Sequence, residues 1–216
     1  MEYKIDVEGK FFRSLQNLVD AFLLGLLWII CCIPIVTIGA ASTALYYTVH
    51  KSLRQNRGYT FKCFFASFKN NFKQSTISWL VVLAVSAVLF VDMGIFEYYL
   101  IEGASWGWAY YLFLISFIGV MVWSVYLFAY IARFENGIVA SFKNAAIFAI
   151  VNIRFSLLII VVMVLIGVVF FYATPALIIL PSLVCMVFNR ILEHVFRKYM
   201  TEEDEKKEKE LDMFLK

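Results

Sequence analysis

The residues that could do chemistry in this sequence are few, and they sit near the ends of long apolar runs. Asp20 lies about one turn inside the first run, Arg54 follows the second, and Arg190, Glu193 and His194 fall at the end of the last. Charge is costly in hydrocarbon, so ionisable residues in such runs mark ion pairs, proton relays or substrate paths. Asp20 with Arg54 or Arg190, and His194 close by, would form a polar cluster at the inner face that acts as a structural lock. A proton relay through Asp20 and His194 is the sharper alternative. No carboxylate stands in the middle of a run, which counts against proton-coupled transport. Cys31, Cys32 and Cys185 lie in apolar stretches and Cys63 in a Lys-rich one, and the two histidines, His50 and His194, are not beside the cysteine pair. Neither a metal nor another cofactor is implied, and disulfides are not expected in a reducing compartment. There is no Walker loop, no dinucleotide glycine pattern and no nucleophile–base arrangement, so the expectation is a protein that is not an enzyme.

The elements that would position these residues follow from composition. With 62% hydrophobic residues, 16% charged residues and a mean hydropathy of +0.81, the chain has too little polar surface for a soluble domain of 216 residues. The fold class expected is all-α, a polytopic transmembrane helical bundle. A span needs about 20 mostly apolar residues to cross about 30 Å of hydrocarbon. The candidates are residues 18–33, 35–53, 77–96, 106–132, 155–171 and 175–192, within one membrane domain over 1–200 followed by a charged helical tail over 201–216. The basic residues ahead of the first run superficially resemble a signal peptide, but the run is long and leads into more apolar sequence, so an uncleaved anchor is expected.

The second segment is the weakest, because Thr37, Gly39, Ser42, Thr43, Thr48 and His50 dilute it. Charge decides in its favour. If all six cross, all 19 Lys and Arg residues fall on one side, opposite Asp92, Glu97 and Glu102. The positive-inside rule then puts both termini in the cytoplasm of a cell whose plasma membrane holds the protein. The alternative is five spans plus a re-entrant segment. Trp106, Trp108 and Trp79 fit interfacial positions, and the basic inner face is explained by topology without invoking nucleic acid.

Smaller patterns refine this reading. Phe61, Phe64, Phe65, Phe68 and Phe72 recur at helical spacing while Lys69 and Lys73 occupy other faces, which predicts an amphipathic helix lying at the cytoplasmic interface. Gly39, Ser42 and Thr43 are small enough for close helix packing. Pro34 and Pro175 mark turns, and Pro181 predicts a kink in the last helix. An internal similarity aligns Gly58 with Gly137, with Ser-Phe-Lys-Asn following at both 67–70 and 141–144. It reads either as parallel repeats or as chance in a biased sequence.

The run from Leu27 to Tyr47 contains the block Pro34-Ile-Val-Thr-Ile-Gly-Ala40, and Phe64 to Gln74 contains Phe68-Lys-Asn-Asn-Phe-Lys-Gln74. These blocks resemble the YesL-like family of small bacterial membrane proteins, a domain of unknown function. The resemblance implies a link to carbohydrate uptake and supplies no mechanism. Three functions follow as expectations: an accessory or regulatory component contacting sugar-transporter subunits, a small transporter or channel in its own right, or a scaffold without ligand. Beyond the lipid bilayer and those subunits no partner is implied, and the oligomeric state is not specified.

Overall fold

The computed structural model describes residues 7–53, 60–172 and 180–200, and every described element is helical. Helix α1 spans Val7–Cys32, α2 Ile38–Thr48, α3 Thr60–Ile101, α4 Ala109–Arg133, α5 Ile138–Val151, α6 Ile153–Tyr172 and α7 Leu180–Arg197. Arg54, Pro175 and the tail over 201–216 lie outside the described residues.

The segment that looked weakest is the hub. In α2, residues 39–41 and 43–48 are all buried, against α1, α3, α4 and α7. This explains the diluted hydropathy: a helix surrounded by protein needs small side chains and satisfied hydroxyls, whereas a lipid-facing one needs bulk apolar surface. Gly39 is required where α2 meets α3, because a Cβ there would lie 2.5 Å from both the Ser75 carbonyl oxygen and the Trp79 Cβ. One turn on, Thr43 Oγ1 and Ser75 Oγ share a hydrogen bond of 2.9 Å. Ser42 faces α1 and accepts from the Trp28 indole at 3.3 Å.

The α1–α2 connection is fixed from three directions. Thr37 Oγ1 donates to the carbonyls of Cys31 at 2.6 Å and Pro34 at 2.7 Å, tightening a single 3-10 turn over Ile35–Thr37. The Trp79 indole N–H donates to the Ile35 carbonyl at 2.7 Å. Trp79 therefore ties α3 to this turn.

These contacts set a register that the sequence did not reveal. Thr60 donates to Asp20 at 3.2 Å, Ser75 meets Thr43, and Trp79 meets Ile35, so α1 and α2 run alongside the first half of α3. The remainder, from residue 80 to Ile101, packs on α4, with Phe96 stacked on Phe113 at 5.0 Å. At 1.5 Å per residue that stretch is about 33 Å long, close to the hydrocarbon thickness of about 30 Å. The segments 18–33 and 35–53 accordingly lie beside the first half of α3. Among the described residues, two helices are long and apolar enough to cross a membrane, α3 and α4, or three if α5 and the first part of α6 count as one broken span.

The Phe-rich segment is likewise the opening of α3, a continuous helix of 42 residues, and does not form a separate helix. Phe64 is buried, Phe61, Phe65 and Phe72 are exposed, and Phe68 stacks on Phe64, while Lys69 and Lys73 face outward. The helix that does turn away is α5, bent by 93° from α6. Asn152 makes the break: its backbone leaves the helical region, its side chain donates to the Phe148 carbonyl, and its own carbonyl restarts the ladder by accepting from Phe155 and Ser156. The internal similarity extends to buried Ser67 and Ser141 and exposed Lys69 and Lys143, then stops, because α3 runs straight where α5 breaks. Pro181 is the second residue of α7 as described, and the residues ahead of it, 173–179, lie outside the described residues.

At the far end of the α3–α4 hairpin, Gly103 adopts φ 71°, in the left-handed region. A Cβ on Gly107 would lie 2.6 Å from the Leu100 Cα, so both glycines are needed for so tight a reversal.

The close approach at Gly39 makes a direct prediction. Gly39→Ala should lower thermal stability in detergent by about 1–3 kcal/mol through overpacking against backbone. Gly119→Ala, where nothing lies within 4 Å of the added Cβ, should leave it unchanged or raise it. Circular-dichroism melting of the two variants checks this.

Candidate functional site

The densest polar arrangement lies where α2, α4 and α7 converge. Along α7 the buried residues Asn189, Leu192, Glu193 and Phe196 recur at helical spacing and form one face. Arg190, His194 and Arg197 form the opposite, exposed face. Glu193 is completely buried, with 0% side-chain exposure. Such a carboxylate is tolerated only when its charge and lone pairs are matched. Arg133, the last residue of α4, does most of this. Its Nε lies 2.8 Å from Glu193 Oε1, and its Nη2 donates to Oε2 at 3.2 Å. From α2, the Tyr46 hydroxyl donates to Oε1 at 3.3 Å, and His50 Nδ1 stands 3.3 Å from the same oxygen. His50 and the buried Lys51 sit on a π-helical turn over Val49–Leu53 that closes α2.

This is not the cluster expected from the sequence. Asp20 accepts from Thr60, and among the described residues it meets neither Arg190 nor His194. Arg190 has no hydrogen bond or ion pair among the described residues, and His194 packs on the Phe155 ring, with centroids 5.5 Å apart. Arg54 lies outside the described residues. The physical reason is helical phase: Arg190 and His194 lie on the same turns of α7 as the charge centre but on its outer face. Glu193 sits between them on the inner face. The signal was the spacing of Asn189, Leu192, Glu193 and Phe196, which puts a carboxylate on an otherwise core-forming stripe and demands a cation elsewhere. Tyr46, His50 and Arg133 carried no comparable local signal, since their convergence depends on α2 being the hub.

Next to this centre lies an open cleft of about 410 Å³ between α4, α5 and α7. It shares the α4 and α7 ends with the charge centre, because Phe134 follows Arg133 and Phe196 lies one turn beyond Glu193. The aromatic wall is continuous: Tyr130 stacks on Phe134 at 4.6 Å, Phe196 packs edge-on against Phe134 at 5.6 Å and Phe148 at 5.5 Å, and Phe148 meets Tyr199 at 5.1 Å. The Tyr130 hydroxyl oxygen accepts from Asn136 Nδ2 at 2.7 Å and Asn144 Nδ2 at 2.8 Å. Gln74 reaches across from α3 and donates to the Asn136 carbonyl and to Ser141 Oγ, both at 2.9 Å, fixing the loop and α5. Among the described residues no group of three or more His, Cys, Asp and Glu could hold a metal ion, and none of the four cysteines forms a disulfide there.

Chemically, the Glu193 centre brings three helices to one point and neutralises the charge this places in the core. Arg133→Met should therefore strand a buried carboxylate and destabilise the fold by about 3–5 kcal/mol. Arg133→Met combined with Glu193→Met should recover most of that loss. Denaturant unfolding of the single and double variants measures the coupling, and additive losses would contradict it.

No curated protein and no solved structure matches the chain. Residues 21–93 match the sequence model of a family described as a protein of unknown function, DUF624. The match takes in α1 from Ala21 onward, the α2 hub with Gly39 and Thr43, and α3 as far as Met93. Through this segment, which fixes the α2–α3 register, about a third of the chain is similar to the DUF624 family.

Proposed function

We propose that this chain is an integral plasma-membrane protein without catalytic activity, serving as an accessory or regulatory component of a larger membrane assembly linked to carbohydrate uptake. The observation that carries the membrane reading is the α3–α4 hairpin. Beyond Trp79 it presents Val88, Phe90 and Val91 from α3 and Ile115 from α4 as exposed apolar residues over a length that matches the hydrocarbon layer. Exposed Lys69 and Lys73 and the end of α4 at Arg133 flank one end, while Glu102, Trp106 and Trp108 occupy the turn at the other. By the positive-inside rule the turn is external and the α2-centred body, with both termini, is cytoplasmic.

The accessory role rests on what that body leaves uncovered. Leu18, Phe22, Leu26 and Ile30 of α1 are exposed, yet α1 runs at the depth of the lysines on α3. A row of apolar side chains beside charged ones needs a protein partner more than it needs lipid. The Glu193 centre supports a non-catalytic reading, since its carboxylate is engaged by Arg133, Tyr46 and His50. The link to sugar uptake comes from the family resemblance. A small transporter with six spans is the second reading, favoured by the way six crossings would gather all 19 basic residues on one side.

Affinity purification of the tagged chain from its host in mild detergent, with mass spectrometry, should recover sugar-transporter subunits in near-stoichiometric amounts. Recovery of the chain alone would move the weight to independent transport. In intact cells an impermeant thiol reagent should reach Ala104→Cys and leave Ile33→Cys unlabelled, whereas labelling of both would favour six spans.

A further inference from the structure

The cleft beside the Glu193 centre has a lining that the lock does not use. Its walls are Tyr130, Phe134, Phe148 and Tyr199, with Asn136 and Asn144 as polar groups and Ile147 and Val151 at the edge. Among the described residues no charged side chain lines it. Tyr130 is 4% exposed, and its oxygen already accepts two amide N–H groups. Its own proton has no acceptor among the described residues, and each asparagine keeps its Oδ1 and a second N–H unspent. Turning either amide over would exchange a donor for an acceptor without exhausting the set.

We propose that this cleft binds a neutral polyhydroxylated ring, a sugar of one or two residues. Three features select that chemistry. The volume of about 410 Å³ lies within the range of small-molecule sites. Aromatic faces lie against the axial C–H face of a pyranose, while a phenol and two carboxamides match vicinal hydroxyls, which both donate and accept. The polar groups of the described lining, a phenol and two carboxamides, are uncharged and suit a neutral ligand better than a phosphate, carboxylate or nucleotide. An aromatic cage for a quaternary ammonium would share the rings but would leave the buried Tyr130 hydroxyl and both amides without ligand partners, at a cost in affinity. Occupancy would bridge α4, α5 and the end of α7, where Phe134 and Phe196 adjoin Arg133 and Glu193, so a bound sugar would bear on the charge centre that joins α7 to the hub.

This deepens the proposed function by naming a ligand, and rests on that function only for the side of the membrane on which the cleft opens. The test is made where sidedness plays no part, so failed binding and failed partner capture remain separate results. The full chain is reconstituted in lipid nanodiscs, which avoids sugar-headed detergents, and titrated calorimetrically with glucose, galactose, xylose and their β-linked disaccharides. Sorbitol, which has hydroxyls and no ring, and tetramethylammonium are the controls. At least one ring sugar should bind saturably with a Kd of about 1 mM or tighter. Asn144→Ala and Tyr199→Ala should each weaken it about tenfold or more, and Gly119→Ala should leave it unchanged. Tyr199 is 40% exposed, so its truncation tests the aromatic wall with little risk to the fold. Absence of saturable binding by any of these sugars overturns the proposal. So does equal binding of sorbitol, preference for tetramethylammonium, or affinity indifferent to both cleft variants.

Discussion

Everything else in this structure depends on how closely α2 lies against α3. At Gly39 the two helices approach until no Cβ fits between them, with the Ser75 carbonyl and Trp79 on the far side. Thr43 and Ser75 then spend their hydroxyls on one another, and Trp79 closes the contact at Ile35. Small side chains permit the approach, and the hydrogen bonds fix its register, since a shift of one turn would leave buried hydroxyls unpaired. Once α2 is seated there, its other faces must be covered, and α1, α4 and α7 cover them. The reversal of α3 into α4 then sends a hairpin past the hub.

The charge centre is a consequence of the same seat. Holding α2 at that height brings Tyr46 and His50 to the ends of α4 and α7, where Arg133 and Glu193 meet. An ion pair in so enclosed a place adds little to stability compared with an apolar substitute, but losing one member is costly. Its contribution is therefore specificity: α7 docks in one rotational setting, with Glu193 inward and Arg190 and His194 outward. That setting carries Phe196 and Tyr199 to the aromatic wall of the cleft, so packing, charge and cleft share one set of helix ends.

Much of the architecture was legible in the sequence, and its gaps have physical causes. Composition and hydropathy establish an all-helical protein with apolar helices, and Gly39, Ser42 and Thr43 stand out as small residues in an apolar run. Hydropathy measures what a helix would do in lipid, however, and α2 meets protein on every side, so its dilution read as weakness. It also says nothing of relative depth. Segments 35–53 and 77–96 read as neighbours in one layer, while Thr43–Ser75 and Ile35–Trp79 pair the first of them with α3 only up to the start of the second. Asp20 meets neither Arg190 nor His194 among the described residues for a finer reason: Arg190, Glu193 and His194 are close in sequence, and only the phase of α7 separates the buried one from the others. The aromatic cleft had no local signature, because Tyr130, Asn144 and Tyr199 come together only after α5 breaks from α6 at Asn152.

The register itself is open to direct measurement by electron–electron spin-label distances in nanodiscs, on a cysteine-free background. A label at Val36 should lie within about 15 Å of one at Leu80 and roughly 30 Å from one at Ile101, the separation set by helical rise along α3. If Val36 proves closer to Ile101 than to Leu80, α2 stands beside the second half of α3. The hub, the projecting hairpin and the reading built on them would then be wrong.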